Sequence, residues 1–139
     1  MSPILSSPRF LSRVMWLDAA SCLLTGAIQC VATASLAART GLPAPLLGAT
    51  GLFLLGYAAT AGRMASRAAP PRILIGLVAV GNLGWAFGCL ALLCGSRLQP
   101  TVLGEGWVGL QAVVVLALAA AQWAGLRATS PRRGPALQA

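Results

Sequence analysis

Apolar residues fill four long stretches of the chain, roughly Val14 to Ala38, Leu46 to Ala61, Ile73 to Cys94 and Val102 to Leu126, and polar residues collect in the joints between them. Each stretch approaches the ~20 residues that a helix needs to cross hydrocarbon. None shows the strict alternation of a membrane β-barrel strand. The pattern predicts an all-α fold: an integral membrane four-helix bundle over residues 14–126, a basic N-terminal segment at 1–13 and a basic tail at 127–139. All nine prolines stand outside the stretches, as expected where each helix must satisfy its own backbone in lipid. Gly41 with Pro43 reads as a helix stop, Pro45 as the first turn of the next helix, and Pro70 with Pro71 as the entry to the third. The second stretch is the shortest.

Polar residues inside the stretches carry the candidate chemistry. On the first, Asp18, Ser21, Cys22, Thr25, Gln29 and Thr33 recur at three- and four-residue spacing and share one helical stripe. An ionised Asp on a lipid-facing helix costs about 2.5–3.5 kcal/mol at the centre and less near the edge, so the stripe must face protein or water. With the first span starting near Val14, Asp18 is shallow, and Arg63 or Gln122 at similar depth is expected to satisfy it. Two readings stand: a structural carboxylate paired with Arg63 or with backbone groups, or one that exchanges a proton or cation with cargo. Asn82 and Trp85 lie near the middle of the third stretch. The amide reads as interhelical glue, and the indole N–H needs a polar neighbour. Asp18, Thr25, Gln29, Asn82, Trp85 and Gln122 together make the candidate polar intramembrane site.

Gly81, Gly84 and Gly88 line up at close to helical spacing and form a candidate helix-packing face, either for a tight contact within the chain or for a dimer. Gly48, Gly51 and Gly56, with Tyr57 and Thr60, suggest a further small-residue seam. Glu105, Trp107 and Gln111 form a candidate periplasmic lip, although the helix dipole alone explains an acid at the position of Glu105. Trp16 and Trp123 fall near one membrane boundary and Trp107 near the other, as interfacial anchors do. The four cysteines include no C-x-x-C pair. Buried thiols are expected, and the similar depth of Cys30 and Cys89 leaves a contact or disulfide between them open.

Composition removes most alternatives. The chain is 58% hydrophobic and 9% charged, against about 25% charged in soluble domains, too little to cover a water-facing surface. There is no His and no Lys, which removes imidazole ligation of haem or zinc, a His base, a Schiff-base lysine and a phosphate-loop lysine. The only acids, Asp18 and Glu105, sit on spans that enter from opposite faces, so no paired-carboxylate site is expected. No catalytic residue, metal site or cofactor is expected.

The net charge of +8 comes from ten Arg. Eight of them, Arg9, Arg13, Arg63, Arg67, Arg72, Arg127, Arg132 and Arg133, fall on one side of the predicted topology, and Arg39 and Arg97 on the other. The positive-inside rule then puts both termini in the cytoplasm. The same Arg favour anionic head groups of the lipid bilayer, and with few aromatics outside the spans they make no case for nucleic acid. A signal peptide ending near Ser35, Leu36 and Ala37 conflicts with Asp18, Thr25 and Gln29 inside its apolar core, so an uncleaved first helix is expected.

Several short motifs point the same way: Asp18-Ala19-Ala20-Ser21 with Gly26, Gly41-Leu42-Pro43 with Leu46-Leu47, Tyr57-Ala58, Asn82 with Trp85, Pro100-Thr101 with Leu103-Gly104, and Gln111-Ala112. Through them nearly the whole chain resembles an uncharacterised bacterial family of small four-span membrane proteins. The resemblance implies a bacterial inner (plasma) membrane location and this architecture, and it implies no activity. Small multidrug-resistance transporters are similar in size, span count and first-helix acid. Their essential acid is a mid-helix Glu, however, and their dual topology conflicts with the Arg bias here. The leading expectation is a non-enzymatic protein that packs as a homodimer, a homo-oligomer or an accessory subunit of a larger membrane complex. The runner-up is a small-molecule or proton-coupled transporter using Asp18.

Overall fold

In the computed structural model, which describes residues 8–67, 71–95 and 97–129, the chain forms α1 (Pro8–Val31), α2 (Thr33–Thr40), α3 (Ala44–Ala65), α4 (Arg72–Cys94) and α5 (Val102–Ala128). The expectations for residues 1–7, for Pro70, and for 130–139 with Arg132 and Arg133 lie outside the described residues. The four long helices are each long and apolar enough to cross a membrane. The protein is an all-α, multi-pass membrane bundle.

Two boundaries differ from the apolar pattern for physical reasons. The first helix is already formed at Pro8, ahead of the apolar stretch, and it ends at Val31 instead of running to residue 38. Ala32 leaves helical geometry (φ −108°, ψ 24°). Beside it the Thr33 hydroxyl donates to the carbonyls of Gln29 and Cys30, a back-bonding arrangement that bends helices. Periodicity does not register such a break, because Ala34, Leu36, Ala37 and Ala38 carry the apolar stretch on past it. α2 stops at Gly41, whose φ of 70° requires glycine. The third helix spans Ala44–Ala65, longer at both ends than the 46–61 stretch, with Pro45 in its first turn and Arg63 in its last.

The outside is more greasy than the inside. Leu17, Leu24, Leu52, Leu77, Phe87 and Val113 are exposed, whereas Ala19, Ala58, Ala61, Ala79, Ala112 and Ala119 are buried together with Asp18, Asn82 and Gln122. That distribution suits a lipid solvent, which offers no hydrophobic drive between helices and rewards small residues and interhelical hydrogen bonds.

α1 packs along α3, and α4 along α5; α1 also meets α5, and α2 leans on α3 and α5. Among the described residues α3 and α4 make no close backbone approach. The bundle is therefore two helix pairs joined through α1 and α5 and open along the α3–α4 side. Glycine sets the tight crossings. A Cβ on Gly26 would stand 2.8 Å from the Gly51 carbonyl oxygen, and one on Gly51 would stand 2.8 Å from the Gln29 Cβ. At the start of α5 a Cβ on Gly104 would collide with the Thr40 carbonyl oxygen, which already accepts from the Thr101 N–H at 2.9 Å. At the other end Arg72 donates to the carbonyls of Leu126 and Thr129, closing the end of α5.

Candidate functional site

Every long helix contributes a polar side chain to one buried cluster. Asp18 on α1 is wholly buried, as is Gln122 on α5, and Asn82 on α4 is 4% exposed. One carboxylate oxygen of Asp18, Oδ2, accepts from Gln122 Nε2 at 2.8 Å, Asn82 Nδ2 at 3.0 Å and the Tyr57 hydroxyl of α3 at 3.1 Å. The other, Oδ1, accepts from the Cys22 thiol at 3.7 Å. Asn82 Nδ2 also donates to Gln122 Oε1 at 3.2 Å, and Gln122 Nε2 approaches Met15 Sδ at 3.7 Å. The donors of three neutral side chains thus converge on a group that, when ionised, only accepts.

Of the two partners expected for Asp18, Gln122 pairs with it and Arg63 does not: Arg63 is exposed at the end of α3, and Asn82 and the Tyr57 phenol join Gln122 in its place. The reason is register. Because α1 is already helical at Pro8, Asp18 lies at least ten residues, about 15 Å, along its helix. Tyr57, eight residues before the end of α3, reaches that level. Tyr57 and Cys22 were legible as span hydroxyl and stripe thiol, but not as partners of Asp18.

Of the six residues grouped by sequence, Asp18, Asn82 and Gln122 come together and the other three do not. Gln29 is 2% exposed and accepts from Thr50 Oγ1 at 3.1 Å, further along the α1–α3 seam. Thr25 lines a separate recess. Trp85 makes no hydrogen bond among the described residues and stacks on Phe53 instead, 5.8 Å between ring centres and 6° between planes. That stack bridges the gap between α3 and α4.

Gly81, Gly84 and Gly88 are exposed, and a Cβ on any of them would meet nothing within 4 Å. The row is therefore not a tight contact within the chain; that role falls to Gly26 and Gly51. The lip separates as well. Glu105 is exposed in the first turn of α5, while Trp107 and Gln111 turn inward beside the buried stripe of Gly104, Val108 and Ala112. Trp107 is thus no interfacial anchor: its indole N–H is buried without a partner among the described residues. Trp16 and Trp123 do face outward, about half exposed, with Arg127 5.7 Å over the Trp123 ring. All four cysteines are free; Cys30 lies on the α1–α3 seam and Cys89 against α5, so the two are not joined.

Two recesses flank Trp85, Trp107 and Gln111. One, of about 360 Å3, opens between α3 and α4 and is walled by Leu46, Leu47, Leu92 and Val108, with Gly84 and Gly88 at its edge. The other, of about 210 Å3, lies between α1 and α5, beside Cys22, Thr25 and Val115. Neither is lined by a charged residue. Among the described residues no three potential metal ligands come together. Comparison with protein families, curated proteins and solved structures finds no match to this chain.

Proposed function

We infer that this is a non-catalytic protein of the bacterial inner membrane, with both termini in the cytoplasm, that acts by lateral helix association as a homo-oligomer or an accessory subunit of a larger membrane complex. The observation that carries this reading is the unoccupied glycine row of α4. Gly81, Gly84 and Gly88 leave backbone open to a neighbour, and exposed Leu77, Val80 and Phe87 flank it. Small residues at such a face let a second helix approach closely, which is the main drive for association in lipid. The Arg distribution supports the orientation. The buried cluster supports a non-catalytic role, because its one acid is enclosed and its donors are spent.

Purification in mild detergent with native mass spectrometry tests this. A dimer or a defined complex is expected, and Gly81→Leu should shift it to a lone monomer while leaving helix content unchanged. A wild-type monomer indifferent to Gly81→Leu overturns the proposal. One observation favours the runner-up, transport through Asp18: Cys22, whose thiol reaches Asp18, also lines the smaller recess. On that reading Asp18→Asn abolishes proton-coupled flux in proteoliposomes without unfolding the chain.

A further inference from the structure

We propose that the hollow around Trp85, Trp107 and Gln111 binds a flat, neutral, lipid-soluble ring bearing a carbonyl, the chemistry of a quinone. This inference rests on different observations from the association proposed above, although Gly84 and Gly88 border both. Four observations select that chemistry. First, the larger recess has a volume of about 360 Å3, within the ~300–1,000 Å3 of small-molecule sites. Second, its walls are apolar and carry no charge, and it opens between α3 and α4, so an occupant arrives sideways from lipid and is neutral. Third, two indoles border both recesses, and one of them, Trp85, already lies nearly parallel to Phe53; such faces favour an unsaturated ring over a flexible chain. Fourth, the polar capacity here is unspent. Gln111 lines both recesses and makes no hydrogen bond among the described residues, and one turn away the Trp107 N–H is buried without an acceptor.

Gln111 stands nine residues into α5, about 14 Å along the helix. An unpaired amide at that depth costs free energy that a ligand carbonyl recovers. Thr50, the other polar residue of the larger recess, is committed to Gln29 and to the carbonyls of Leu46 and Leu47. Gln111 is therefore the residue that orients the ring, and the leucines hold its tail.

The test uses the full chain in mild detergent, with Trp16→Phe and Trp123→Phe so that Trp85 and Trp107 report. The probe is a benzoquinone with a decyl tail, read by quenching of indole fluorescence. Saturable quenching at one probe per chain is expected. Gln111→Leu should weaken binding roughly five- to tenfold. Gly88→Leu, which adds its side chain into open space at the rim, should abolish saturation with helix content unchanged, and it carries the test if Gln111→Leu does not fold. Quenching that rises linearly and equally in all three proteins overturns the proposal. So does saturation by a phospholipid with brominated acyl chains that the quinone does not displace, because an acyl chain is then the occupant. Gly81→Leu, clear of both recesses, should keep the quinone signal, so failure of association and failure of binding are read separately.

Discussion

Asp18 holds its acceptor atoms against a phenol, two amides and a thiol, and those partners decide how single changes act there. In Asp18→Asn the amide oxygen can take the place of Oδ2 and the new N–H2 can face the Cys22 sulfur, so the cost is expected to stay near 1 kcal/mol. Asp18→Leu removes the acceptor that Tyr57, Asn82 and Gln122 share, at about 1–3 kcal/mol for each N–H or O–H left unpaired, while Asn82 keeps its bond to Gln122 Oε1. Tyr57→Phe should cost about 1 kcal/mol. Combined with Gln122→Leu it should deviate from additivity, because both donors share one oxygen. Unfolding in mixed micelles of mild and denaturing detergent measures all four; equal losses for Asp18→Asn and Asp18→Leu contradict the hydrogen-bond account. The polar stripe on the first span, and the need to bury it, were legible in the sequence. Of its partners Gln122 was legible by depth; Tyr57 was not, because Arg63 and Tyr57 differ by only six positions and helix register decides between them.

Among the helices, glycines of identical composition divide into two kinds. Gly26, Gly51, Gly104 and Gly125 sit where another backbone or side chain crowds in, while Gly81, Gly84, Gly88, Gly106 and Gly109 face open space. Two positions on α5 make the contrast testable. Gly104→Ala drives a methyl group into the Thr40 carbonyl, and overpacking of this kind is expected to cost about 1–3 kcal/mol or more. Gly106→Ala, two residues on, meets nothing within 4 Å and should stay within about 0.5 kcal/mol of wild type. Detergent unfolding of the two variants decides it, and equal effects would contradict the crossing at α2 and α5. Spacing alone singled out the α4 row, yet spacing is the same for a seam and for a free face. The break at Ala32 was equally hidden, since apolar residues continue past it to Ala38 and the Thr33 back-bonds that accompany it are local.

For the whole molecule the orientation is the first thing to measure. Cys94, exposed at the end of α4, should react in intact cells with a membrane-impermeant maleimide. A Ser66→Cys, Cys94→Ser variant, with its thiol just beyond α3, should react only after the membrane is opened; the reverse pattern overturns the proposed topology. Hydropathy and helix length sum over neighbouring residues, so the sequence by itself determined that lipid is the solvent, that the fold is helical and that four spans cross it. It also named four of the buried polar residues, Asp18, Gln29, Asn82 and Gln122, because a polar group inside an apolar stretch must turn inward wherever its partners stand. Only the tertiary structure decided that Tyr57 and Asn82 join Gln122 on Asp18 while Arg63 does not, that Trp107 and Gln111 turn inward while Glu105 does not, and that the bundle stays open between α3 and α4. Those outcomes depend on each helix's rotation and on how closely glycine lets backbones approach, and residues far apart in the chain set both.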